Sequence, residues 1–194
     1  MRISQATMKD YDGIVALHRA YHTDFIRPED RPDGFVTTNF TPEQLEALIT
    51  EQKGVTVAKD DVGNVKAYAT AASWDFWAQW PLFTHMIGQL PLYSLNGRTL
   101  SVENSYQYGP ACLDKTVRGT GLFEQLFHAS LAGMKDRYPV MVTFINQINH
   151  RSYAAHTKKV FLTQLGTFQF NQNNYYFMAC ETDEKETSSL KTMQ

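Results

Sequence analysis

Cysteine is scarce in this chain: Cys112 and Cys180 are the only two among 194 residues. Two thiols build neither a zinc-ligand spacing nor a disulfide framework. Both therefore read as small buried apolar side chains, and a reducing cytoplasm is the expected compartment, with no metal site. Long apolar runs are missing too. No stretch approaches the ~20 apolar residues that span a bilayer, and residues 1–13 contain no apolar leader core, so neither a membrane nor an export route is expected. Charge of one sign is not in excess. Lysine and arginine number 18 against 20 acidic residues, for a net charge of −2 and a pI near 6.3. Such a balance gives no basic field to attract nucleic acid or an anionic lipid surface. No internal repeat is present. No Gly-Lys-Ser/Thr follows the glycines at 119–121, which argues against a phosphate-loop NTPase.

What is present is the mixture of an ordinary globular protein, 22.2 kDa, long enough for a sizeable core. A single domain over residues 1–181 is expected. Residues 182–194 are polar and lack a packing stripe, and read as a disordered tail.

Along the chain, Ile3–Ala6 reads as a strand and Asp10–His22 as a helix capped by Thr7 or Asp10. Residues 25–40, with three turn-forming Pro and Gly positions, read as a loop. Thr41-Pro42-Glu43-Gln44 opens a second helix, with a Thr cap, Pro in the first turn and Gln three residues on, and Gly54 closes it. Val55–Lys59 and Val65–Ser73 form a hairpin around Asp60–Asn64. Trp74–Tyr93, rich in aromatics and interrupted by Pro81 and Pro91, reads as a helix-containing insertion. Leu100–Leu113 is a long strand with a bend or bulge at Gly109-Pro110. A helix follows from Leu122 to about Asp136. Val140–Ile145 is a buried strand, Asn149–Phe161 a helix, and Leu165–Phe170 with Tyr175–Cys180 a closing hairpin around Asn171–Asn174. The order defines a mixed α/β (α+β) plan.

The stretch Leu113–Phe127 organises the rest. Leu122, Phe123, Leu126 and Phe127 share one helical stripe. Before them Gly119 and Gly121 flank Thr120, and a glycine turn feeding a helix start leaves main-chain N–H groups without intrahelical partners. Gathered at the positive end of the helix dipole, they suit a phosphate or pyrophosphate. Arg118 places a cation at the entry.

Arg118-Gly119-Thr120-Gly121-Leu122-Phe123 resembles motif A of the GCN5-related N-acetyltransferases (GNAT), with Arg118 in its first place and Gly121 in its fourth. Phe123 stands where a small residue is usual. A second segment agrees: Asn149-His150-Arg151-Ser152, closing with Lys158-Lys159-Val160-Phe161, resembles the family's motif B. There Val160 replaces a frequent glycine, and His156 takes the place of a tyrosine that protonates the leaving thiolate. The resemblance implies a central mixed, mostly antiparallel sheet flanked by helices and closed by a C-terminal hairpin. That sheet splays between its fourth and fifth strands around acetyl-CoA.

The implied activity is acetyl-CoA-dependent N-acetyl transfer by direct attack of an amine on the thioester. Main-chain N–H groups of Arg118, Gly119, Thr120, Gly121, Leu122 and Phe123 would bind the pyrophosphate. The strand end Ala111-Cys112-Leu113 would pair with the pantetheine arm and polarise the carbonyl. Asn149 and Ser152 would complete the co-substrate site, with Asn149 equally able to cap its helix. Glu103, the one carboxylate in Leu100–Leu113, is the candidate general base if a cleft raises its pKa; a solvated strand charge is the alternative. His156 is the candidate general acid, because histidine titrates near neutrality. The acceptor would be a small-molecule or peptide amine, and the oligomeric state is open between monomer and homodimer. A non-enzymatic acyl-CoA-binding or protein-interaction module on the same fold is the alternative function.

Overall fold

Small and β-branched residues dominate two neighbouring strands, β2 (Val55–Lys59) and β3 (Val65–Ala72), and bury nearly every position of both. In the computed structural model these strands pair antiparallel, with a bulge at Ala58/Lys59. β1 (Arg2–Gln5) adds antiparallel on the far side of β2, Ile3 opposite Ala58. The structure describes residues 1–183. Residues 184–194, most of the expected polar tail, lie outside them.

The described residues form two compact units, each built from two chain stretches. The first comprises Met1–Ala71 and Gly109–Gly133. It holds β1, β2, β3 as far as Ala71, the end of β6 (Ser105–Leu113), the helices α1 (Tyr11–Tyr21) and α2 (Pro42–Thr50), and α5 (Leu122–Met134) as far as Gly133. α1 buries Ile14, Leu17 and Tyr21, one turn apart along one face. α2 begins as its sequence dictates: the Gln44 N–H donates to Thr41 Oγ1 at 3.3 Å, and the Thr41 N–H donates to the Gln44 side chain at 2.8 Å. On α5, Leu122, Leu126, Phe127, Leu131 and Met134 are buried, while Phe123 is half-buried.

The second unit comprises Ala72–Tyr108 and the described residues from Met134 onward. Its core strand β7 (Val140–Asn146) pairs antiparallel with β9 (Asn173–Glu181), which pairs antiparallel with β8 (Thr163–Phe170). On its other side β7 runs parallel to the start of β6, Ser105 opposite Val140 and Gln107 opposite Val142. The strand order is β1-β2-β3-β6-β7-β9-β8, seven strands that are mostly antiparallel. α6 (His150–Lys158) follows β7. No helix of the described residues is long and apolar enough to cross a membrane.

The aromatic insertion is two helices, α3 (Trp74–Trp77) and α4 (Pro81–Gln89). It forms core. Trp74 and Trp77 are fully buried, Trp77 packs 4.7 Å from Phe83, and Phe83 lies 5.6 Å from Phe144. The Trp74 Nε1–H donates to Ser105 Oγ at 3.0 Å, as a buried indole requires.

Several boundaries differ from the sequence reading: β1 is shifted by one residue, α5 ends at Met134 and α6 at Lys158, and three further differences have visible causes. β6 starts at Ser105, not Leu100, because Asn104 folds residues 99–104 into a turn. Its Oδ1 accepts from the Ser101 N–H at 2.9 Å, and its Nδ2–H donates to Thr99 O at 2.8 Å. A small hairpin, β4 (Ser94–Leu95) with β5 (Arg98–Thr99), turns on Asn96-Gly97, both with positive φ. The closing hairpin is longer than expected and turns tightly on Asn171-Gln172, also at positive φ. The expected bend at Gly109-Pro110 is present as a cis peptide with Gly109 at φ +106°.

Gly54 fixes how α2 meets the hairpin. Its N–H donates to Leu48 O and its carbonyl accepts from the Ala71 N–H at 2.7 Å. A Cβ at this position would stand 1.6 Å from Ala71 O. Gly54→Ala is therefore expected to destabilise the protein by about 3 kcal/mol or more, read as a fall in the denaturation midpoint without change of slope. A midpoint equal to wild type would contradict this packing.

Candidate functional site

In the first unit, β6 delivers Ala111, Cys112 and Leu113 to a short turn. Asp114 secures it: its N–H donates to Lys66 O at 2.8 Å, and its Oδ1 accepts from the Thr116 N–H at 2.8 Å. Arg118 then folds back on the strand. Its Nε–H donates to Leu113 O at 3.0 Å, and its guanidinium lies 4.8 Å from the centre of the Tyr21 ring. The Tyr21 hydroxyl accepts from the Lys115 N–H at 2.7 Å. Burial pushes the Tyr21 phenol above its ordinary pKa, so it stays protonated. The Arg118 side chain thus braces the turn rather than standing at its mouth as a separate cation.

Gly119 and Gly121 have φ of +79° and +81°. That conformation favours glycine, and a Cβ at either would meet open space. Between them Thr120 Oγ1–H donates to Val117 O at 2.8 Å. Among the described residues, the N–H groups of Gly119, Thr120, Gly121 and Leu122 meet no main-chain acceptor. They precede or open α5, and N–H groups without intrahelical partners at a helix start favour an anion. The residues present fit a diphosphate. Cys112 beside it is buried, and burial pushes its thiol up to about 12 despite Arg118, so it holds no thiolate at neutral pH.

In the second unit, Asn149, Ser152 and His156 share α6. Asn149 acts as its cap: Oδ1 accepts from the Ser152 N–H at 3.1 Å. His156 is buried. Its Nδ1 lies 2.8 Å from Ser152 O and 3.3 Å from Ser152 Oγ. A carbonyl only accepts, so the ring hydrogen is on Nδ1 and Nε2 carries a lone pair. Burial pulls the imidazole down to about 4, against the contact with Ser152 O. The expectation that His156 titrates near neutrality as a general acid is therefore corrected: desolvation keeps it neutral, and its one hydrogen is tied to a carbonyl.

Glu103 is corrected as well. It is exposed and lies in the turn before β6, not on the strand. The Ser101 side chain and its own main chain hold its pKa below the usual value rather than above it. At Tyr108 the parallel ladder with β7 has ended. The Tyr108 carbonyl instead accepts from Thr143 Oγ1 at 2.8 Å and from the Gln107 side chain.

The residues brought together are thus 111–113 with 118–123 in one unit, and Asn149, Ser152 and His156 in the other. The sequence reading missed Tyr21 as the support of the turn. Its only signal was a helical spacing shared with every other buried residue of α1.

No family model matches the sequence, and no curated protein matches it. Solved structures do resemble it in three dimensions. The yncA protein of Salmonella typhimurium, determined with its cofactor acetyl-CoA, superposes with a TM-score of 0.60 at 16% identity, over 94% of this chain and 94% of that one. An N-acetyltransferase from Staphylococcus aureus Mu50 gives 0.59 at 18% identity, over 94% and 98%. A GNAT-family acetyltransferase from Listeria monocytogenes 4b F2365 gives 0.57 at 14% identity, over 93% and 94%. The chain has the fold of the GNAT acetyltransferases.

Two outcomes test the site. Tyr21→Phe removes the acceptor of the Lys115 N–H and is expected to cost about 1 kcal/mol. Amide exchange at residues 115–121 should quicken in it; unchanged exchange would contradict the bracing role. The second is a pH dependence. The unfolded chain protonates His156 near 6.5 and the folded chain only near 4. Unfolding then takes up a proton between those values, so this group's effect is nil above 6.5 and lowers stability as pH falls toward 4. An imidazole resonance of His156 that titrates at 6.5 would contradict its neutral burial.

Proposed function

We propose that the chain is an acetyl-CoA-dependent N-acetyltransferase in which an amine attacks the thioester directly. The observation that carries this reading is the run of main-chain N–H groups at Gly119–Leu122 that meet no main-chain acceptor, after β6, in a fold whose solved examples include one with acetyl-CoA. Gathered in one nest, they would hold the pyrophosphate. Main-chain groups of Ala111, Cys112 and Leu113 would hold the pantetheine arm, and one N–H there would polarise the carbonyl as its oxygen gains charge. The co-substrate itself brings the activated acyl group. The protonated, buried Cys112 thiol supports direct attack over transfer through an acyl-cysteine. The acceptor is an amine on a small molecule or peptide, and a reducing cytoplasm suits the two free thiols.

A second reading, acyl-CoA binding without turnover, has its own support. His156 is neutral with its hydrogen engaged, and Glu103 is exposed with a lowered pKa, so neither is arranged for proton transfer.

Coenzyme A at ~100 times its Kd is expected to stabilise the protein by about 2.7 kcal/mol, seen as a rise in Tm. Gly121→Asp should abolish that rise by setting a carboxylate against the pyrophosphate. Gly121→Asn, which has the same shape and tolerates positive φ, should retain most of it. No rise in the wild type would end both readings. A thiol-release assay over a panel of amines separates them: release supports the enzyme, and binding without release supports the module.

A further inference from the structure

β7 is apolar from Val140 to Ile145 except at Thr143, which is 4% exposed. A hydroxyl among such neighbours needs a partner, and Thr143 Oγ1–H finds one on the Tyr108 carbonyl at 2.8 Å. The same carbonyl accepts from Gln107 Nε2–H. A carbonyl has two lone pairs, so both are taken by side chains of the second unit. Gln107 holds its amide there at a cost, because its Oε1 is buried with no partner among the described residues.

These bonds stand where a rung of the strand ladder would be. Odd-numbered residues at the two ends of β7 serve β9: the Thr182 N–H donates to Pro139 O at 2.8 Å, and the Gln147 N–H donates to Asn174 O at 2.9 Å. Even-numbered residues serve β6, beginning with the Val140 N–H on Asn104 O at 3.2 Å. Phe144, opposite Phe177 of β9, is even and therefore turns its N–H away from β9. In this phase the Phe144 N–H would make the next rung with the Tyr108 carbonyl. Pairing stops instead at Gln107 opposite Val142, so that rung is not made. With both lone pairs occupied, the carbonyl has no place for it.

We infer that Thr143 is a positioning residue for the co-substrate: its hydroxyl keeps the Phe144 N–H off the Tyr108 carbonyl and so ends the β6–β7 ladder at Tyr108. β6 itself runs on to Ala111–Leu113. Main chain spent on a neighbouring strand cannot also pair with a pantetheine arm. The inference rests on the acetyl-CoA reading of that strand end, and adds to it the side chain that stops the ladder.

The test compares Thr143→Val, which removes the hydroxyl and keeps the shape, with Thr143→Ser, which keeps the hydroxyl, in the full isotope-labelled chain. In Thr143→Val the freed lone pair takes the Phe144 N–H, so exchange of that one amide should slow about tenfold. Simple loss of a buried hydrogen bond would speed it. A rung closed at about ten to one also lowers the apparent affinity for coenzyme A about tenfold. Adenosine 3′,5′-bisphosphate has no pantetheine arm and should bind as it does to wild type. Thr143→Ser should match wild type in all three readouts. Gln107→Met, which frees the other lone pair, should slow the same amide, and decides the matter if Thr143→Val does not fold. Phe144 exchange that is unchanged or faster, or slower exchange with undiminished coenzyme A affinity, would overturn the inference. A wild type that binds no coenzyme A would end the acetyltransferase reading and with it the role toward the co-substrate. The exchange comparison contains no ligand and still decides whether Thr143 stops the ladder.

Discussion

One phenol and one guanidinium hold the turn between β6 and α5. Tyr21 takes the Lys115 N–H on its hydroxyl and the Arg118 guanidinium on its ring face, while Arg118 donates to Leu113 O. A neutral hydrogen bond contributes about 1 kcal/mol, a cation–π contact about 0.5–2, and a hydrogen bond from a charged donor about 1.5–3. Their sum is of the order of the entropy lost in fixing two or three residues. It is therefore enough to decide whether residues 115–118 are ordered. The proposed N–H nest depends on that order, because Gly119 and Gly121 can reach many conformations and need both flanks held. α1 is thus part of the candidate site without lining it.

Burial rather than charge pairing sets the titration of the groups that look chemical. His18 and His156 are both pulled down to about 4, and Cys112 is pushed up to about 12, each chiefly by desolvation. His18 ties Thr38 to Tyr68, and His156 ties one turn of α6 together. Neutral imidazoles used this way are structural hydrogen-bonding groups. A nest built of main-chain N–H groups needs no titratable partner, and would bind the same anion across the range in which these side chains stay neutral.

Much of the fold was legible because local signals agreed with their tertiary use. Thr41 and Gln44 announced α2, the β-branched Val55–Lys59 and Val140–Ile145 announced buried strands, and Gly119 and Gly121 announced the turn before α5. Where the reading failed, a side chain had intervened over a distance the pattern does not carry. Asn104 converts the first residues of an apparent strand into a turn, and Glu103 goes with them. Asn96-Gly97 was a readable hairpin signal masked by its place beside the aromatic insertion. Burial of His156 could not be read from a helix with no net apolar bias. Nor could the support given by Tyr21, which joins residues 94 positions apart.

The central proposal is that Gly119–Leu122 form an anion site for the diphosphate of coenzyme A. It is tested most directly by following the amide resonances of the labelled protein as coenzyme A is added. The account predicts large, saturable shifts at Gly119, Thr120, Gly121 and Leu122, reproduced by adenosine 3′,5′-bisphosphate only weakly because that fragment lacks the pyrophosphate. Saturable binding that leaves those four amides unmoved, or no binding at all, would contradict it.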